Sequence, residues 1–222
     1  MGQLIDGVWE KGSVSTNDKK GNFKRASSVF RNKISSNHPT YLPETNRYHL
    51  YVSYACPWAH RTLIFRKLKN LESHISVDYV NPDMLEMGWS FEKTFLGVSG
   101  DSLHNKRYVH EIYQLSDKDI STKATVPILW DKKTRTIVNN ESSEIIRIMN
   151  DAFNDITKNK DDYYPKKFRD QIDSINDTIY ENINNGVYRS GFSKTQSSYE
   201  EAVKNLFTSL DMVNDSLEGR DY

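Results

Sequence analysis

The alternation of apolar and polar positions separates a stretch of mixed strands and helices from a stretch of helices alone. RYHLYVSYA, residues 47–55, is aromatic and apolar almost throughout and predicts a largely buried strand. PWAHRTLIFRKLKN, residues 57–70, leads into Ile64, Leu68 and Leu71 at i, i+4 and i+7, which predicts a helix with those three on its inner face. HISVDYV (74–80) predicts a second strand, parallel to the first through a right-handed crossover. TVPILWD (125–131) and TIVNN (136–140), separated by KKTR, predict a hairpin, and ESSEIIRIMNDAF (141–153) the helix after it. The order is βαβ, an insertion, then ββα.

Beyond residue 165 the period changes. Phe168, Ile172, Ile175, Ile179 and Ile183 recur at helical spacing, as do Tyr199, Val203, Leu206, Leu210, Val213 and Leu217, which predicts two amphipathic helices. The polar stretch NKDDYYP (159–165) ends in Pro165 and reads as a linker. Residues 11–22 are polar and lysine-rich and predict a loosely tied loop, with ordered structure starting later. The predicted organisation is an N-terminal extension (1–46), an α/β domain (47–158) and a helical region (166–222).

Composition narrows the function. The 222 residues carry no net charge and 27% charged side chains, so no global field draws the chain to nucleic acid or anionic membrane. A small-molecule or protein partner is expected. The single cysteine excludes an internal disulfide, and the six histidines show neither HExxH nor zinc-type spacing, so no metal is expected. The first thirty residues lack a signal-peptide core and about 18 apolar residues never run together, which predicts a soluble, cytoplasmic protein. Hydrophobic residues at 36% fall below the usual ~45–50%. Either the surface is unusually polar or apolar segments that complete the core are absent.

The chemistry centres on Cys56. A cysteine that ends a strand and caps a helix with Pro57 in first position faces free backbone N–H groups and the positive end of the helix dipole, both of which favour thiolate. A lone cysteine is otherwise most often buried and inert; the strand-Cys-Pro-helix context favours the nucleophile. Ala59 stands where the partner of a CxxC pair would be, so a second thiol must come from outside, and glutathione is the cytosolic supplier. Pro127 at the start of a strand marks an edge or a cis bond. In thioredoxin-like folds such a cis proline lies beside the catalytic thiol, and Val126 before it would offer backbone N–H and C=O to the cysteinyl part of glutathione. NNESSE opens a helix: its amides and Ser142 suit a γ-glutamyl carboxylate and Glu141 the adjacent ammonium, or the run is plain capping by Asn and Ser. Trp89 fits a core as well as a site.

Taken together, MGQLIDGVW, FKRASSVFR, RYHLYVSYACPWAHRTLIFRKLKNLE, VNPDMLEMGWSF, ATVPILWDKKTRTIVNNESSEIIRIMNDAF and NNGVYRSGF resemble the glutathionyl-hydroquinone reductases, the Xi class of glutathione transferases, over essentially the whole chain. The resemblance implies an α/β thioredoxin-like N-terminal domain followed by an all-α C-terminal domain, usually as a homodimer. It implies Cys56 as the nucleophile that takes glutathione from a glutathionyl-hydroquinone. Glutathione contacts fall to Trp89, Lys123, the Val126 backbone, Glu141 and Ser142, and Tyr188 in NGVYRSGF would lie over the aromatic substrate. Lys123 stands where the family usually has arginine, keeping the charge without the planar fork. The family continues through a TEAD segment and further helices where this chain stops, so the helical domain is expected to be incomplete and less stable than an extended form. The alternatives are an omega-like thiol transferase or dehydroascorbate reductase, and a non-catalytic glutathione-binding remnant.

The capping position of Cys56 generates a direct expectation. Its alkylation rate against pH should show a midpoint below the free thiol value of about 8.5. A midpoint at or above that value would return Cys56 to the role of a packing residue.

Overall fold

The computed structural model describes residues 2–12 and 17–219 and divides into two compact units. The first takes the described residues of 1–14 with 28–163; the second takes those of 15–27 with 164–222. Part of the lysine-rich loop expected at 11–22, residues 13–16, and the last three residues of the chain lie outside the described residues.

The first unit is built on a four-stranded mixed sheet. Strand β3 (Tyr48–Ser53) is buried along its whole length, which its near-continuous apolar and aromatic run anticipates. Helix α1 (Pro57–Leu68) carries the chain to β4 (Ile75–Val80), parallel to β3 with Tyr48 opposite Ile75. After helix α2 (Val109–Ser116), strands β5 (Ile128–Asp131) and β6 (Thr136–Asn139) form the expected antiparallel hairpin. The spatial order is β4-β3-β5-β6, with β5 antiparallel to β3. Helices α3 (Ser142–Asp151) and α4 (Asn154–Thr157) close the unit, and α1 packs on α3. Alternation along β3 sends Tyr48 to one face, edge-on to Phe153, and Tyr51 to the other, edge-on to Phe91.

Two buried polar clusters fix this sheet. Arg47, just before β3, makes a two-pronged bond to Asp131 at the end of β5, Nε to Oδ1 at 2.9 Å and Nη2 to Oδ2 at 2.6 Å. On β4, Asp78 accepts from Ser102 N (2.6 Å), Ser102 Oγ (2.7 Å) and Ser99 Oγ (3.0 Å), with His49 Nε2 3.2 Å away.

Two expectations about this unit are corrected. Ile64 and Leu68 are exposed (44% and 39%), and α1 buries Ala59 and Thr62 instead. Small side chains let the helix approach its neighbours closely, so the inner face is set by fit and not by the largest apolar residues. The stretch 1–46 is not a mere extension. Strands β1 (Gln3–Ile5) and β2 (Val8–Glu10) form a hairpin around Asp6 and Gly7, both at positive φ. Leu4 of that hairpin is fully buried and exchanges backbone hydrogen bonds with Thr122 at 2.8 and 3.0 Å. A Cβ on Gly7 would come within 1.8 Å of Lys118 O, so glycine is required there.

The second unit contains more than the two helices expected. A 3₁₀ turn (Lys166–Phe168) leads into α5 (Arg169–Ile179), a π-helical turn (Tyr180–Asn184), α6 (Gly186–Gly191) and α7 (Gln196–Ser216). The residues α7 buries are Ser198, Ala202, Leu206 and Ser209, whereas Tyr199 and Leu210 are exposed. Gly186 meets Leu206 where α6 and α7 pack. The described part of the expected loose loop folds onto this unit: Asn17 Nδ2 donates to Phe192 O at 2.9 Å and Lys194 N to Gly21 O at 3.1 Å. Among the described residues no helix is long and apolar enough to cross a membrane.

Asp78 yields an acid-stability prediction. Burial pushes its carboxyl up, but the bonds from His49 and Ser102 outweigh this and hold it at about 2. A carboxyl whose folded value lies below its unfolded value of about 3.9 contributes stability above that pH and loses it as pH falls toward 2. The contribution is about 2 kcal/mol. Between pH 5 and pH 2 the unfolding free energy of the wild type, from urea titration, should fall by roughly that much more than that of Asp78→Asn. Parallel pH curves would show that the Asp78 carboxyl titrates alike in the folded and unfolded chain.

Candidate active site

Cys56 occupies the N-cap of α1, with extended backbone (φ −103°, ψ 109°) and Pro57 as the first helical residue. Pro57 has no N–H to satisfy and a φ suited to the first turn, so the strand-to-helix transition falls at the cysteine. Cys56 N donates to Ser53 O at 3.1 Å, and Cys56 O accepts from His60 N at 3.0 Å. Cys56 is 7% exposed and its S–H points to Val126 O, 3.4 Å away. The Val126–Pro127 bond is cis. The sequence expectation that Pro127 brings Val126 beside the thiol therefore holds as geometry.

The Thr125–Pro127 segment is held by two residues the sequence reading did not single out. Tyr113 on α2 donates its hydroxyl to Thr125 O at 3.0 Å and accepts from Thr125 N at 3.2 Å. Burial pushes this phenol up to about 12, so it stays protonated and able to donate. Asn140 Nδ2 donates to Pro127 O at 3.0 Å and to Thr125 Oγ1 at 3.1 Å. With its neighbours tied this way, the Val126 N–H has no acceptor among the described residues. A doubled asparagine at the end of an apolar strand was the available signal for Asn140; Tyr113 reads in sequence as one more core aromatic.

At the start of α3 the cap is Glu141, not asparagine or serine. Its Oε1 accepts from Ser143 N at 3.2 Å and Ser143 Oγ at 3.0 Å. Ser142, 3% exposed, accepts two bonds at its Oγ from Arg61 of α1, Nε at 3.0 Å and Nη2 at 2.7 Å. Arg61 Nη2 also lies 3.7 Å from Glu141 Oε1, and its guanidinium sits 5.1 Å from the centre of the Trp58 ring. Arg61 too was missed. A cation in the first half of a helix runs against the macrodipole, and that was the clue that a second element needed it.

The other candidates are placed less directly. Trp89 is 9% exposed and belongs to the hydrophobic core, its carbonyl accepting from Val109 N at 2.9 Å. Lys123 is half-buried in the loop before Thr125. Tyr188 belongs to the second unit, where its ring neighbours Phe23 (6.1 Å) and Phe192 (6.2 Å) with Arg25 4.7 Å from its centre. Among the described residues no cluster of three histidine, cysteine or carboxylate side chains is placed to hold a metal.

A mixed sheet with a thiol at a helix cap beside a cis-proline, followed by a helical unit, is the architecture of glutathione transferases. Residues 55–152 match the family described as "Glutathione S-transferase, N-terminal domain". The glutathionyl-hydroquinone reductase YqjG of Escherichia coli K12 is 50% identical over 217 residues, covering 95% of this chain and 66% of that protein. Its glutathione-bound structure superposes with a TM-score of 0.88 over 100% of this chain and 68% of that one. The glutathionyl-hydroquinone reductase PcpF of Sphingobium chlorophenolicum is 48% identical over 222 residues, covering 100% of this chain and 70% of that protein. The Xi glutathione transferase of Phanerochaete chrysosporium is 51% identical with a TM-score of 0.90, over 93% of this chain and 67% of that one. The chain belongs to the glutathionyl-hydroquinone reductases, the Xi class of the glutathione transferase family. It spans about two thirds of the length of these relatives.

Proposed function

We propose that the chain reduces glutathionyl-hydroquinones to hydroquinones with glutathione as cosubstrate. The observation that carries this reading is the Cys56 sulfur, held at the N-cap of α1 against the carbonyl that precedes cis-Pro127. Loss of the S–H proton removes the bond to Val126 O and releases both partners: the sulfur becomes nucleophilic beside the N-terminal amides of α1, and the carbonyl becomes an acceptor for a ligand amide. The Val126 N–H and C=O then pair with the cysteinyl unit of glutathione in the manner of an added strand. Ser142 and the first amide of α3 take the γ-glutamyl carboxylate, Glu141 the ammonium, and Trp89 and Lys123 complete the glutathione contacts.

The reaction runs in two displacements. Cys56 thiolate attacks the glutathione sulfur of the aryl thioether; a sulfur–sulfur bond forms, the carbon–sulfur bond breaks, and the ring carbon takes a proton to give hydroquinone. The thiolate of a second glutathione attacks the mixed disulfide, releasing glutathione disulfide and restoring Cys56. Tyr188 is assigned to donate to the hydroquinone oxygen. We take residues 47–158 as the glutathione-binding domain and 166–222 as helical, in a cytoplasmic protein that pairs with a second copy.

Steady-state turnover tests the assignment. Cys56→Ser should fall to background while still binding glutathione, because the hydroxyl stays protonated and poorly nucleophilic. Tyr188→Phe should slow glutathionyl-hydroquinone reduction about tenfold, one hydrogen bond of roughly 1.4 kcal/mol, with a smaller effect on an aliphatic glutathione mixed disulfide. Turnover by the serine variant would refute the mechanism, and equal slowing of both substrates would leave Tyr188 a purely structural role. Faster turnover of dehydroascorbate than of the aryl thioether would move the chain to the omega-like reaction.

A further inference from the structure

The Ser142 hydroxyl has a defined polarity, and Arg61 sets it. A serine oxygen offers two lone pairs and one proton. Both lone pairs are engaged by Arg61, through Nε at 3.0 Å and Nη2 at 2.7 Å, and the guanidinium is rigid and always charged, so neither bond reverses. The one remaining valence of Ser142 is its proton, and among the described residues that proton has no acceptor. The residue is 3% exposed and opens α3, where the amides of Ser143, Glu144 and Ile145 are all taken up by Glu141 and only the Ser142 N–H lacks an acceptor among the described residues.

We propose that Arg61 is a positioning residue that fixes Ser142 as an obligate donor and thereby selects a ligand group that only accepts, a carboxylate, at the α3 N-terminus. This deepens the glutathione reading and rests on it. Arg61 belongs to the same helix that Cys56 caps, so a single element carries the nucleophile and sets the proton direction at the anchoring end of the ligand. Contact with Glu141 at 3.7 Å and stacking over Trp58 at 5.1 Å keep the guanidinium in plane. Its charge behind the serine also polarises the O–H toward an incoming anion. Lysine cannot reproduce this, because an ammonium on a flexible stem leaves one lone pair of Ser142 open and the hydroxyl free to turn.

Calorimetric titration with glutathione and with its analogue lacking the γ-glutamyl α-carboxylate, 4-aminobutyryl-cysteinyl-glycine, tests the proposal. The wild type should prefer glutathione by on the order of tenfold or more. Arg61→Met should lose most of that preference, with the affinity for the analogue changed less than about twofold. Arg61→Lys, which keeps length and charge and guards against misfolding of the methionine variant, should retain an intermediate preference. Adding Ser142→Ala to Arg61→Met should cost nothing further, since the two act as one unit. Undiminished preference in Arg61→Met or Arg61→Lys, equal weakening of both ligands, or additive losses in the double variant would each overturn the role of Arg61 while leaving glutathione binding standing. A wild type that does not distinguish the two ligands would overturn both this proposal and the glutathione reading beneath it.

Discussion

Everything at the site depends on one strand register. Strands β3 and β5 run antiparallel with Tyr51 opposite Ile128. The chain leaving β3 and the chain entering β5 therefore emerge at the same end of the sheet, and Cys56 arrives opposite Val126 with 3.4 Å between sulfur and carbonyl. A slip of one residue would exchange the two packed faces of β3, setting Tyr48 and Tyr51 against the wrong neighbours, and move the thiol away from the cis-proline segment. The bidentate Arg47–Asp131 pair locks that register at the other end of the same two strands, where Tyr48 faces Asp131. Burying such a pair contributes little net stability, and its value here lies in specifying one pairing over its neighbours.

Around that register, polar side chains from distant elements hold the backbone that the ligand is to meet. Tyr113 from α2 and Asn140 from the end of β6 satisfy the groups on either side of Val126. Arg61 ties α1 to the start of α3. Each tie spends its hydrogen-bonding capacity on the protein and leaves a donor of fixed polarity without an acceptor among the described residues: a peptide N–H at Val126 and a hydroxyl proton at Ser142. Donors arranged before a ligand arrives need little reorganisation when it binds, which is how a site gains affinity without gaining area.

Much of this was legible in the sequence, and what was not has identifiable causes. The β3-α1-β4 unit, the β5–β6 hairpin and α3 follow from hydrophobic period, and Cys56 beside Val126 follows from the strand-Cys-Pro-helix pattern together with Pro127. The inner face of α1 was misread because Ala59 and Thr62, small and weakly apolar, make the close contacts while Ile64 and Leu68 point outward. The hairpin at Asp6–Gly7 was missed because its strands have three residues each and pair only with one another and, through Leu4, with distant Thr122. Arg61, Tyr113 and Asn140 escaped notice for a common reason. Their partners lie 81, 12 and 13 residues away, and the polarity of a side chain does not reveal at what distance it will be satisfied.

The central claim is that glutathione passes from the aryl thioether to Cys56 before any second thiol takes part. Mixing the protein with excess glutathionyl-hydroquinone in the complete absence of free glutathione, then quenching and digesting, tests it most directly. The account predicts release of one equivalent of hydroquinone per chain and recovery of a reducible glutathione adduct on the peptide containing Cys56. No hydroquinone release until free glutathione is added, or release with no adduct at Cys56, would contradict it.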